Sequence, residues 1–175
     1  MPGAADPRKD TESVHIRLAH HSDVEPLVRL INSAFQVEQP FIAGDRTNPE
    51  GVRAYMEKGK FLLAEDSAGL AGCVYVELRD NRGYLGLLGV DPRRQGTGLG
   101  RALMHAADGY FREQACIAVD LRVISPRQPL LAFYRHLDYM ETGTAPFPPD
   151  IQTKVPCHYI YMSKTLVSTG PPNRT

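Results

Sequence analysis

The stretch GLLGVDPRRQGTGLGRALM, Gly86 to Met104, constrains this chain more than any other. An apolar run ends at Val90, a proline and two arginines follow, and Gly96, Gly98 and Gly100 then alternate ahead of an apolar segment of helical spacing. Glycines placed where a strand ends and a helix begins let backbone N–H groups turn inward with no Cβ in the way. Such a nest attracts an anion, and the positive end of the following helix adds to the attraction, so a phosphate or pyrophosphate is its natural ligand. A lone Gly-x-Gly, by contrast, is most simply a tight turn with no ligand. A P-loop is excluded, because the loop contains no lysine where GxxxxGK needs one. A dinucleotide fingerprint fails as well: counted from Gly96, Arg101 stands where the third glycine belongs, and the loop follows the fourth strand-like run, not the first.

The flanking pattern alternates in type. SVHIRLAH reads as a strand with Val14, Ile16 and Leu18 on one face, and the next segment puts Leu27, Leu30, Ile31 and Ala34 on one helical stripe. Pro26 in the first turn favours Asp23 as the helix cap. An irregular loop leads to a second helix near 51–58, and KFLLAED, GLAGCVYVELRD and RGYLGLLGVD follow as strands whose short gaps imply antiparallel neighbours. After the glycine loop, Leu99, Ala102, Leu103, Ala106 and Tyr110 form a helical stripe, and Ile117, Val119, Leu121 and Val123 alternate as a strand. PRQPLLAFYRHL reads as a helix, DYMETG as a short strand, 144–156 as a proline-rich loop and CHYIYMSKTL as a last strand. The expected fold is α/β of the α+β type: a mixed, mostly antiparallel sheet of about seven strands with helices on both faces. Residues 14–167 form one domain between frayed extensions at 1–13 and 168–175, which are too polar to offset their ordering entropy.

Twenty basic residues balance twenty acidic ones, which excludes the electrostatic footprint of a nucleic-acid or anionic-membrane partner. Cys73, Cys116 and Cys157 lie far apart with no CxxC pair, against a zinc site or a disulfide framework and in favour of the cytoplasm. No run approaches the roughly 20 apolar residues of a membrane span, and the first residues lack a signal peptide's apolar core. A homodimer paired through an edge strand or the last strand is left open.

The longer pattern VDPRRQGTGLGRALM resembles motif A of the GNAT superfamily, the general-control-related N-acetyltransferases, whose Gln/Arg-x-x-Gly-x-Gly/Ala is matched by Gln95, Gly98 and Gly100. The resemblance implies that the loop Gln95, Gly96, Thr97, Gly98, Leu99, Gly100 and Arg101 holds the pyrophosphate of acetyl-CoA. It also implies that backbone groups at Leu88, Gly89 and Val90 meet the pantetheine arm. LLAFYRHLDYMETG is similar to the family's later motif, with Tyr134 at the tyrosine that in many relatives protonates the departing thiolate. Asp138 stands where glycine is usual, and Arg127 near where an asparagine often contacts the cofactor. Many relatives carry a basic carboxylate on the strand before the loop; YLGLLGV has none.

Glu77 on the preceding strand is the candidate general base, directly or through a water, against a plain reading as a strand-end glutamate paired with Arg79 or Arg82. His136 and His158 have suitable titration ranges but no spacing that ties them to the loop. Residues 35–48 and 144–156, with Phe35, Phe41, Phe147, Glu38, Asp45 and Asp150, are the expected acceptor loops, suited to an amine with some apolar character. The implied activity is acetyl-CoA-dependent N-acetylation of a small amine, amino acid or peptide terminus by direct attack in a ternary complex. A non-catalytic acyl-CoA-binding sensor of the same fold stays open, as do O-acetylation and a longer acyl group.

Overall fold

A computed structural model describes residues 13–166. The expected extensions at 1–13 and 168–175 lie outside the described residues, apart from Ser13. Seven strands form one sheet: β1 (His15–Leu18), β2 (Lys60–Asp66), β3 (Gly69–Arg79), β4 (Arg82–Val90), β5 (Ala118–Ile124), β6 (Met140–Pro146) and β7 (His158–Thr165), in the order β1-β2-β3-β4-β5-β7-β6. Every neighbouring pair is antiparallel except β4 and β5, which the glycine loop and its helix connect in parallel. The mixed sheet expected from the sequence is the one found.

Helices cover both faces. Helices α1 (Val24–Ala34) and α2 (Pro49–Lys58) pack on Phe61, Leu63, Cys73 and Tyr75, whereas α3 (Leu99–Glu113) and α4 (Gln128–Arg135) pack on Leu62, Ala64, Val74 and Val76. That two-sided burial explains why β2 and the middle of β3 are apolar without alternation. Helix α2 starts where Asn48 accepts a hydrogen bond from Gly51 N at 2.8 Å, with Pro49 in the first turn.

Three local expectations are corrected. Asp23 precedes α1 but does not cap it: its carboxylate accepts from His20 N at 2.7 Å and receives both terminal nitrogens of Arg17 at 2.8 and 2.9 Å. A guanidinium fork outcompetes a single backbone N–H. The buried stripe of α3 runs Leu99, Leu103, Met104, Ala107 and Phe111, which leaves the expected Ala102, Ala106 and Tyr110 on its half-buried flank. Phe111 sets this rotation by filling the space beside Gly83, where an added Cβ would come within 2.5 Å of its ring. Finally, β6 extends through Pro146, so Thr144 and Ala145 belong to an edge strand and not to the loop.

Two features of β4 position everything that follows. Its partnership with β5 covers only Arg82, Gly83 and Tyr84, after which the two strands diverge. Arg82 fastens the closed end, donating to Asp120 on β5 twice at 2.6 Å and to Ser163 Oγ on β7 at 2.9 Å. Beyond it, β4 bulges: Tyr75 pairs with Gly86 and Cys73 with Gly89, so three steps on β4 face two on β3. Leu87 takes φ 47° there and packs on the α1 face, although strict alternation would place it with Leu85 on the α3 face.

Ala115 ends α3 in the left-handed region, φ 57°, with its N–H donating to Arg112 O and Cys116 N to Phe111 O. Ala115→Gly removes a Cβ penalty and is expected to raise stability by about 0.5–1 kcal/mol, a melting-temperature gain of about 1–4 °C. Gly83→Ala is expected to cost about 1–3 kcal/mol in denaturant unfolding by displacing Phe111, a cost that Phe111→Leu in the same chain should partly recover.

Candidate active site

The diverging strands open a trough that crosses the sheet from the glycine loop to the far side. At the loop end, a cavity of about 420 Å³ is walled by Leu88, Gly89 and Val90 of β4, Gln95 to Arg101 apart from Thr97, Ala34 and Phe35 at the end of α1, and Arg127, Leu130 and Phe133 of the α4 segment. A narrow neck of about 60 Å³ follows, between Tyr84, Gly86 and Leu88 on one strand and Arg122 and Ile124 on the other, with Tyr134 and Tyr159 beside it. A second cleft of about 560 Å³ opens beyond, bounded by Glu38, Asp45, Arg46, Asp150 and Tyr159. Phe35 lines all three spaces.

The loop is built to receive negative charge. Gly96 and Gly98 take φ 78° and 87°, and an added Cβ at either would stand in open space. Their dihedrals, not crowding, require glycine. The first helical bond of α3 runs from Ala102 N to Gly98 O, so the N–H groups of Leu99, Gly100 and Arg101 have no partner within the helix. Thr97 faces away and closes the turn by donating its hydroxyl to Arg94 O at 2.6 Å. The segment before it is fastened by Asp91, which accepts from Arg93 N at 2.9 Å, and by Arg94, which reaches Asp66 at 2.8 Å. Arg93 beside Asp91 holds that carboxyl below its ordinary range.

Beyond Tyr84, the edge of β4 that faces the trough has no strand partner among the described residues, so those backbone groups between Leu85 and Val90 that point away from β3 are open to a ligand there. Tyr134 is buried, stacks edge-on against Phe133 and Tyr139, and its hydroxyl makes no hydrogen bond among the described residues. Burial raises its pKa far above the usual phenol value, so the proton is held. Glu38 sits at the junction of neck and second cleft, only 8% exposed, and accepts from Arg127 Nη1 at 2.9 Å. Burial raises its carboxyl pKa against the opposing pull of Arg46 and Arg127. The two loops expected to take the acceptor are zipped together beside the second cleft by a bridge between Ile42 and Thr153, with Ala43 N donating to Gln152 O at 3.0 Å and Lys154 N to Phe41 O at 2.8 Å.

A phosphate-type nest, an unpaired strand edge and a buried phenol along one split sheet are the layout that the sequence pattern implied. The profile of the Acetyltransferase (GNAT) family matches residues 25–139. This chain belongs to the GNAT acetyltransferase family. Among its GNAT relatives, the mycothiol acetyltransferase of Propionibacterium freudenreichii subsp. shermanii is 29% identical over 138 residues, 74% of this chain and 44% of that protein. The mycothiol acetyltransferase of Clavibacter sepedonicus is 35% identical over 91 residues, 51% of this chain and 30% of that protein. The chain therefore spans less than half the length of these curated relatives. In fold it is similar to Ard1 of Thermoplasma volcanium, with TM-score 0.75, 18% identity, and 88% and 98% of the two chains covered. The GNAT fold is equally evident in yncA from Salmonella typhimurium, solved with its cofactor acetyl-CoA, at TM-score 0.71 and 17% identity over 93% and 99% of the two chains.

Within this GNAT frame, the structure brings together along the trough the expected loop residues other than Thr97, which does not line the cavity, and Leu88, Gly89, Val90 and Tyr134. It places Glu77 elsewhere. Glu77 accepts from Tyr75 OH at 2.8 Å and from Arg79 Nε at 2.7 Å, and lies outside the trough lining. Arg79 keeps its carboxyl pKa below the ordinary value and itself stacks on Tyr84, 3.7 Å from the ring centre. Neither His136 nor His158 lines the trough. Phe147 stacks on Tyr159, and Phe41 holds the zipped loops by its backbone. The Glu38–Arg127 pair joins residues far apart in sequence, and no local spacing could have revealed it.

Arg127→Ala leaves the Glu38 carboxylate buried without its partner and is expected to destabilise the domain by about 3 kcal/mol in urea unfolding. Pairing it with Glu38→Leu should recover most of that loss, because two apolar groups need no compensation.

Proposed function

We propose that this chain transfers the acetyl group of acetyl-CoA to an amine by direct attack, with both ligands held in the trough at once. The observation that carries this reading is the continuity of the trough: the anion nest, the open edge of β4 and the second cleft meet at one narrow neck. Acetyl-CoA would supply a thioester there, its C–S bond breaking as the amine nitrogen bonds the acetyl carbon, with CoA as the thiolate leaving group. The loop from Gln95 to Arg101 binds its pyrophosphate through backbone N–H groups, and Leu88, Gly89 and Val90 align its arm. Free N–H groups on the bulged edge of β4 stabilise charge developing on the carbonyl oxygen. Tyr134 donates its retained proton to the departing sulfur and regains one from the second proton that the acylated nitrogen sheds.

Glu38 takes the proton from the acceptor ammonium; it faces the acceptor cleft, and its raised pKa brings it nearer the amine's own. Glu77 supports the site from outside by holding Arg79 against Tyr84. Bringing both reactants into line at the neck supplies much of the remaining acceleration. The unpaired thiols Cys73, Cys116 and Cys157 suit the reducing cytoplasm, the compartment we propose.

The first test is the melting temperature with acetyl-CoA, CoA and NADH. At 100 times its dissociation constant, a ligand adds about 2.7 kcal/mol, a rise of several degrees expected with the first two and not with NADH. Gly98→Val should abolish the rise, because a β-branched side chain both fills the nest and resists the left-handed backbone. No rise for the parent chain would overturn the reading, and binding without CoA release from any amine would favour the sensor.

Glu38→Gln and Tyr134→Phe are each expected to lower kcat about 100-fold or more with acetyl-CoA affinity retained. The base must be ionised to act, and burial raises the Glu38 pKa, so kcat/KM should climb with pH along a limb displaced above the usual carboxylate value of about 4.3. Glu38→Gln should erase that limb.

A further inference from the structure

The acceptor cleft and the neck contain a carboxylate for an amine, and they also contain two arginines that form no ion pair among the described residues, although Arg46 lies close enough to act on Glu38. Arg46 lines both the second cleft and the neck, with its guanidinium over the Phe35 ring at 5.2 Å from the centroid. Arg122 lines the opposite wall of the neck, its guanidinium 4.3 Å from the centre of the Tyr159 ring. Neither makes an ion pair or a side-chain hydrogen bond among the described residues. Both act on the same two phenols, each lowering the pKa of Tyr84 and of Tyr159 against the dominant effect of burial. Both guanidiniums therefore face the same neck, one from each wall.

The other charges nearby are accounted for. Arg79, which also stacks on Tyr84, is neutralised by Glu77, and Arg127 is taken by Glu38. Asp45 and Asp150 bound the second cleft as exposed side chains, away from the neck. Each guanidinium, on a side chain exposed overall, lies over a ring, Arg46 over Phe35 and Arg122 over Tyr159, with N–H groups that have no ion-pair partner among the described residues and could take a two-oxygen or three-oxygen anion. An amine acceptor seated against Glu38 would then have its anionic group within the reach of this pair.

We propose that the acceptor is a primary amine carrying an oxyanion close to the nitrogen, a carboxylate or a phosphonate, and that Arg46 and Arg122 bind that oxyanion. This rests on the acetyl-transfer reading. It goes further by making the acceptor a zwitterion: ammonium toward Glu38, anion toward the arginine pair. Acetylation removes the positive charge and leaves the negative one, so the product retains its hold on the arginines but loses its hold on Glu38.

The test compares acceptors of matched skeleton by CoA release: phenylalanine, its amide, phenethylamine, and the phosphonate analogue of phenylalanine. Carboxylate or phosphonate acceptors are expected to exceed the amide and the decarboxylated amine at least tenfold in kcat/KM, and the ratio of those two identifies the preferred anion. Arg46→Gln and Arg122→Gln should each raise KM about tenfold more for the anionic acceptors than for the neutral amines, and preserve the thermal shift with acetyl-CoA. Equal use of neutral amines, or an equal loss for all acceptors in both variants, overturns the proposal. Absence of the thermal shift in the parent chain would instead overturn the acetyl-transfer reading. If acetyl-CoA binds but no amine releases CoA, calorimetric titration with N-acetylphenylalanine decides the anion site on its own: binding lost in Arg46→Gln supports it, and no binding to the parent chain overturns it.

Discussion

One additional residue in β4 governs the architecture of the site. Where Tyr75 pairs with Gly86 and Cys73 with Gly89, β4 must fit an extra step, and Leu87 does so at φ 47°. A branched apolar residue in that region is strained, and such strain persists only where the surroundings over-determine it. Here they do. The Leu87 side chain is buried beneath α1, and its carbonyl accepts the Cys73 thiol at 3.5 Å. Complete burial pushes the Cys73 pKa up to about 12, so the donor proton is always present. The bulge lies just beyond Tyr84, where β4 and β5 cease to pair, while Arg82, Asp120 and Ser163 keep the near end shut. A sheet fastened at one end and parted at the other forms a trough without any missing strand.

How far the sequence revealed this depends on whether each cause is local. The strands, helices and glycine loop follow from patterns within ten or fifteen residues, and those expectations agree with the structure. The strand-to-helix turn is legible because left-handed backbone at 96 and 98 demands glycine. The bulge is not legible, since Leu87 is a residue no rule would place there. Asp23 fails as a cap because Arg17, on another element, claims its carboxylate. Asp138, at a position where relatives carry glycine, simply adopts φ 68° and ends α4 as glycine would. Glu38 and Arg127 meet only because the α1–α2 loop folds back over the start of α4.

Charge tells the same story at larger scale. Equal numbers of acids and bases suggest an electrically bland molecule. Pairing removes most charges from consideration, notably Arg17 with Asp23 and Glu65, Arg94 with Asp66, and Arg79 with Glu77. Along the trough lie a neutral nest of N–H dipoles at one end, a desolvated carboxyl near the middle and, at the neck, the guanidiniums of Arg46 and Arg122, which form no ion pair among the described residues. Composition counts charges and cannot say which are already spoken for.

The zipped pair of loops beside the second cleft carries one last consequence. Because Ile42 and Thr153 join the two loops on the side away from the glycine nest, the trough has two separate mouths with the neck between them. Under the proposed acetyl transfer, a spent donor would leave by one mouth and a finished product by the other, in either order.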